Sequence, residues 1–220
     1  MYNVINKSTF FFLALFFVSC GKIIIKHDNE TVVTKTPIQI NRSFYSFLKD
    51  SFGFSYVENA GNLYGALTPE YSMAIGVKTG TNEDCIFYDG CTDLNGYFLI
   101  ISDSCGYKVL KSQYDLMTTF APIGTAEEAL SYACLATGLK PRYSFDIPDH
   151  FRKFVMEINT TYSVKKDDGF EVALFDYIVC GCGPHSHYLV KYLVKTTGDI
   201  TISETIKLYE DPEEDGLCVD

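Results

Sequence analysis

Between residues 160 and 209 the chain repeats one pattern: a run of alternating apolar and polar side chains, then a break, then another run. The runs are residues 160–165, 170–179, 187–195 and 200–209; Asp167-Asp168-Gly169 and Thr197-Gly198-Asp199 are the short breaks. Alternation puts every second side chain on one face of a strand, and so short a break can join only antiparallel neighbours. Val172, Leu174 and Ile178 share a phase in the second run, and Tyr188, Val190, Tyr192 and Val194 share one in the third. Ile202, Ile206 and Leu208 give the inward phase of the fourth, so the segment predicts an antiparallel meander with one apolar face.

A sheet with one apolar face needs something laid on it, and the preceding sequence offers helices. Thr125-Ala126-Glu127-Glu128 reads as a capping box, with Thr125 and Glu128 each bonding the other's amide. The helix it opens runs to Thr137, with Leu130, Ala133, Cys134 and Thr137 on one face, until Gly138 and Pro141 stop it. Ser112 caps a shorter helix to Phe120, with Asp115 three residues on. Asn41 or Ser43 opens another, to about Ser51, with Phe44, Phe47, Leu48 and Ser51 at helical spacing. Pro148 begins a fourth, to Ile158, with Phe151, Phe154, Val155 and Ile158 on one stripe. Residues 71–78, 85–88, 96–102 and 107–110 are short strand-like runs between clusters of Gly, Asn and Asp, and Asn95-Gly96 is a tight-turn signal. Hydrophobic residues make up 47% of the chain, enough for a sizeable core.

The expected fold class is therefore α+β: helices packed on a curved antiparallel β-meander, stapled by disulfides. Residues 122–209 resemble the cystatin-like and PepSY-like topology, in which helix precedes a four-strand meander. That resemblance implies a partner-binding or inhibitory module of the cell envelope.

The N-terminus addresses the protein. Lys7 is the one charged side chain before an apolar run over residues 10–18, which has the length of a signal-peptide core and is too short to span a bilayer. Ser19-Cys20 then resembles a bacterial lipobox. Cleavage before Cys20 and acylation there would leave a signal peptide at 1–19, a lipid-anchored tether at 20–40 and a globular domain at 41–220, divisible into 41–121 and 122–220. Residues 31–40 could instead form an edge strand. Cleavage after Cys20 would release a secreted protein, and the sequons at Asn29, Asn41 and Asn159 would matter only in a eukaryotic secretory route. The bacterial reading makes this a lipoprotein of the cell membrane or outer membrane. Its anchor would lie in the bilayer and its domain in an oxidising compartment. Lys and Arg number 18 against 28 Asp and Glu, a net charge of −10, which repels phosphate backbones and argues against a nucleic-acid partner.

Seven cysteines follow Cys20: Cys85, Cys91, Cys105, Cys134, Cys180, Cys182 and Cys218. In an oxidising compartment they are disulfide candidates, with Cys85 and Cys91 a plausible local pair across a turn. Cys180 and Cys182 could bond Cys105, Cys134 or Cys218, and Cys218 could staple the acidic tail from Glu210, which otherwise reads as solvated. The 180–187 segment is the one chemical constellation, because Cys180, Cys182, His185 and His187 place sulfur and imidazole ligands in eight residues. Zinc or copper could bind there, although the one-residue spacings differ from those of structural zinc sites. A reducible Cys180–Cys182 disulfide, or Cys182 as a nucleophile beside a histidine, are the redox and catalytic alternatives. Asp89, Asp93 and Asn95 are explained by turn chemistry without calcium. No phosphate loop, dinucleotide fingerprint, nucleophile elbow or metalloprotease motif occurs. The expectation is a non-catalytic binding or scaffolding domain without cofactor, engaging an envelope protein. A metal or thiol-redox protein is the alternative.

Overall fold

The computed structural model describes residues 42–220. The signal sequence, Cys20, the 21–40 tether with its rival edge strand, and the Asn41 cap lie outside the described residues. In chain order the elements are α1 (Arg42–Phe52), β1 (Tyr56–Asn59), β2 (Ser72–Thr79), β3 (Phe87–Asp89), β4 (Asn95–Asp103) and β5 (Gly106–Leu110). There follow α2 (Gln113–Phe120), α3 (Ala126–Thr137), β6 (Arg152–Lys153), β7 (Tyr162–Lys166), β8 (Gly169–Ile178) and β9 (Gly181–Cys182). β10 (Ser186–Lys195), β11 (Ile200–Glu210) and β12 (Cys218–Val219) complete an α+β fold. Every strand pairing among the described residues is antiparallel.

Two five-stranded sheets result. The first has the order β1-β2-β4-β3, with β5 beside β3 on the same edge of β4; the second has the order β6-β11-β10-β8-β7. The largest core draws on both. Ile75, Val77, Leu99 and Ile101 come from the first sheet, and Val172, Leu174, Val190 and Val194 from the second. Leu116 and Phe120 of α2 and Ala129, Tyr132, Ala133 and Leu135 of α3 complete it. The alternate side chains of β4, Phe98 and Ile100, pack instead with Ala74, Phe54 and Leu48 of α1. Those of the second sheet, Ala173, Phe175 and Leu189, pack with Phe145, Ile147, Phe151, Val155 and Ile158. Both sheets are thus covered on two faces, which explains why β8 is buried without alternation from Val172 to Phe175.

The two internal helices start where local chemistry puts them. Ser112 Oγ accepts from the Asp115 amide at the start of α2. Thr125 and Glu128 form the full capping box at the start of α3. Glu128 also accepts from Gly124 N at 2.7 Å and from Thr68 Oγ1, tying α3 to the 60s loop. Gly138 ends α3 with φ +74°, and a Cβ there would sit 2.4 Å from the Phe87 ring. α3 is buried on every side except Leu130 between Glu128 and Ala136, because it lies in a core common to two sheets. The single apolar face expected from Leu130, Ala133, Cys134 and Thr137 is too narrow.

Four expectations are corrected. Residues 148–158 are not a helix; among them only the short β6 is regular. Phe151, Val155 and Ile158 still reach the second sheet, whereas Met156 is fully exposed and Phe154 is half exposed under Lys207 Nζ at 4.3 Å from the ring centroid. Asn95-Gly96 does not turn but opens β4, with Gly96 packed against Thr81 and Cys85, where a Cβ would come within 2.7 Å of Thr81 Cγ2. Ile202 and Ile206 do not share a face. A bulge between Lys191 and Tyr192 pairs Lys191 with Glu204 and Tyr192 with Ile202, and the extra residue on β11 reverses the phase. Ile202 is left 62% exposed, while Ile206 packs under the second sheet. Ser43 lies inside α1 rather than capping it.

Candidate functional site

The 180–187 segment is where the chain's cross-links converge. Cys180 bonds Cys91, with the Cα atoms 5.3 Å apart, joining the end of β8 to the turn between β3 and β4. Cys182 bonds Cys218, with the Cα atoms 4.0 Å apart, joining β9 to β12. Both sulfurs offered for a metal are therefore used, so neither Cys180 nor Cys182 is a thiolate ligand or a nucleophile, and they do not bond each other. Among the described residues no group of three or more His, Cys, Asp and Glu side chains could hold a metal ion. The expected Cys85–Cys91 pair is also corrected. Cys85 is a half-buried thiol whose Sγ lies 3.0 Å from Phe87 O, and burial pushes its pKa up. Cys134 is a fully buried thiol, pushed up to about 12 by burial. Cys105 is an exposed thiol in the β4–β5 turn. Asp89, near Cys91, makes a turn bond: its Oδ1 accepts from Gly90 N at 2.8 Å.

The two histidines have separate settings. His185 is 2% exposed, with Nε2 at 3.2 Å from Gly181 O and Nδ1 facing Glu214 Oε2 at 3.8 Å. His187 lies between two tyrosine rings: Tyr177 at 4.3 Å and 14° and Tyr209 at 4.4 Å and 24°. Burial, with the charge of Arg142, lowers its pKa, while Glu214 and Asp211 oppose that shift.

The acidic tail is docked rather than solvated. Tyr177 donates to Glu214 at 2.8 Å, and Arg152 pairs with Asp215. Buried Glu210 accepts from Ser186 Oγ at 2.6 Å and is flanked by Lys207 and Arg152. Burial works against the Glu210 charge, but these bonds and cations outweigh it and hold its pKa below the usual carboxylate range. Gly183 donates to Leu217 O at 2.8 Å, and a Cβ at Gly183 would meet Glu214 O at 1.9 Å, so only glycine lets loop and tail approach. Gly183→Ala is accordingly expected to lift the tail off the loop. The check is amide exchange, faster at Gly183 and Leu217 while α3 keeps its protection; unchanged exchange at both would show that the contact tolerates a methyl.

Beside the stack lies a cleft of about 280 Å³, lined by Lys140, Arg142, Phe175, Asp176, Tyr177 and His187. Gly138 and Pro141 force the chain out of α3 into an extended course, where Lys140 bridges to Phe175 as an added edge residue of the second sheet. Arg142 is fixed at both backbone groups by Thr161, donating to Oγ1 at 2.9 Å and accepting from the amide at 2.8 Å. Its Nη1 donates to Tyr209 Oη at 2.7 Å, and its guanidinium stands 5.4 Å from the Phe145 ring centroid. Burial, with a smaller contribution from the Asp89 charge, raises the Asp176 pKa. Burial, with the Glu214 bond, pushes Tyr177 up to about 12. Of this cleft the sequence singled out His187 alone. Lys140-Pro141-Arg142, two cations on an extended step after a helix stop, is the signal that could have found the rest. No family model matches the chain, and no curated protein or solved structure matches it.

Proposed function

We propose that this chain is an exported lipoprotein, anchored through Cys20, whose domain binds a ligand or partner without catalysis. The observation that carries the reading is the pair of bonds Cys91–Cys180 and Cys182–Cys218, since disulfides persist in oxidising compartments and are rare in reducing ones. A fully buried core between helices and curved antiparallel sheets would make the scaffold rigid, in keeping with the cystatin-like and PepSY-like resemblance. The cleft beside the disulfide-held loop would be its working surface. The acyl chains on Cys20 would supply the membrane affinity that an acidic domain lacks. In the bacterial envelope, wild type is expected in the detergent-extracted membrane fraction and Cys20→Ala in the soluble fraction. Equal membrane partition of the two would sink the anchor.

A further inference from the structure

We propose that the cleft between Lys140, Arg142, Asp176 and His187 is a binding site for a small oxyanion, a carboxylate or a phosphate. This rests on reading the domain as a binding module and gives that module a ligand class.

The first argument is unspent positive charge. Lys140 and Arg142 line one cleft, and among the described residues neither has a carboxylate within ion-pair distance. Lys78, Arg152, Lys166, Lys191 and Lys207 each have one, while Lys49, Lys108, Lys111, Lys153, Lys165 and Lys195 also lack one among the described residues, so what sets Lys140 and Arg142 apart is that both line the same cleft. The second is preorganisation. Arg142 is held by Thr161, Tyr209 Oη and the Phe145 ring, which together use only part of its donor fork. A guanidinium whose rotamer is already fixed loses little freedom on binding a planar anion, and Arg is the side chain suited to gripping one with two bonds.

The third is the form of the remaining walls. Asp176 is the one acid lining the cleft; burial raises its pKa, and its charge is the one on the walls that opposes an anion there. His187 is clamped between Tyr177 and Tyr209, so its ring edge keeps a fixed direction. The charges acting on it are Arg142 on one side and Glu214 and Asp211 of the tail on the other. The cleft volume of about 280 Å³ suits a small molecule and is too small for a macromolecular surface.

The proposal has a spectroscopic signature. An anion on Arg142 offsets the cation that disfavours imidazolium, so binding is expected to raise the His187 pKa. The mature full-length chain is titrated with inorganic phosphate and, separately, with benzoate, following the His187 ring protons by NMR. The expected result is a saturable shift with one probe or both, tighter for the chemistry the site prefers, and an upward move of the His187 titration midpoint. Arg142→Gln and Lys140→Gln are each expected to weaken binding by about tenfold or more. Lys165→Gln, remote in sequence and outside the cleft, is expected to change nothing. Arg142→Gln should also raise the His187 midpoint without any anion. Lys140→Gln changes an exposed side chain and serves as the folded control. No saturable shift with either probe, or equal affinity in wild type and Lys140→Gln, overturns the proposal. Since the titration needs no membrane, its failure would remove the ligand class and leave the anchored-protein reading to the Cys20→Ala experiment.

Discussion

Serine at both Cys91 and Cys180 is expected to lower the stability of the domain by about 4 kcal/mol, the scale for a bond closing a loop of this size. The bond spans 89 residues of sequence and ties the β3–β4 turn of the first sheet to the end of β8 in the second. Without the bond the unfolded chain gains the freedom of the whole intervening loop. Denaturant unfolding of wild type and double variant, with m compared as well as the midpoint, is the measurement. A loss below about 1 kcal/mol would mean that the core alone sets the relation of the sheets. The same variant bears on location. If the chain folds equally well where disulfides cannot form, the cross-links lose their force as an argument for export.

What the sequence revealed was whatever is decided within one turn or one hairpin. The cap at Ser112, the capping box at Thr125 and Glu128, and the stop at Gly138 rest on bonds between near neighbours and are found where expected. The meander strands also follow, because alternation is local. What failed depended on distant partners. Phe151, Val155 and Ile158 are spaced like a helix and do bury, yet the segment is laid irregularly along the outer face of the second sheet. Periodicity marked which groups bury without fixing the backbone. Ile202 was misplaced by a bulge in β11 itself, which is set by the pairing with β10 and which alternation along the strand does not announce. Cysteine pairing is set by the approach of two sheets, so Cys91 finds Cys180 across the fold and leaves Cys85 six residues away. The site suffered likewise. The sequence drew attention to thiols that turned out to be structural, while Lys140, Arg142 and Asp176 gain their meaning only where the extended segment meets β8.

Tyr132→Ala is expected to cost about 4 kcal/mol, in the range for deleting a buried aromatic side chain. Tyr132 is 0% exposed, in the middle of α3, within the core common to both sheets. No nearby group can collapse into the space without pulling a sheet inward. Its hydroxyl donates to Gly198 O at 2.8 Å, in the β10–β11 turn, where Gly198 has φ +87° and a Cβ would press on Met117 and on Tyr132 Oη itself. The helix and the turn thus fix each other's position. Tyr132→Phe separates the two contributions: it keeps the ring and orphans the Gly198 carbonyl, for about 1–2 kcal/mol. It also changes the alkaline limb. Burial, with the Asp199 charge, pushes Tyr132 up to about 12, so above the ordinary phenol value the unfolded chain releases a proton that the folded chain retains. Stability contributed by the neutral phenol is complete below pH 10 and is lost as pH rises toward 12. The fall of the unfolding midpoint over that interval should therefore be shallower in Tyr132→Phe than in wild type, with Tyr64, Tyr177, Tyr192 and Cys134, also pushed up to about 12, contributing to the slope that persists. Parallel alkaline limbs would show that the Tyr132 hydroxyl is open to water, and the shared core would then be looser around α3 than its burial implies.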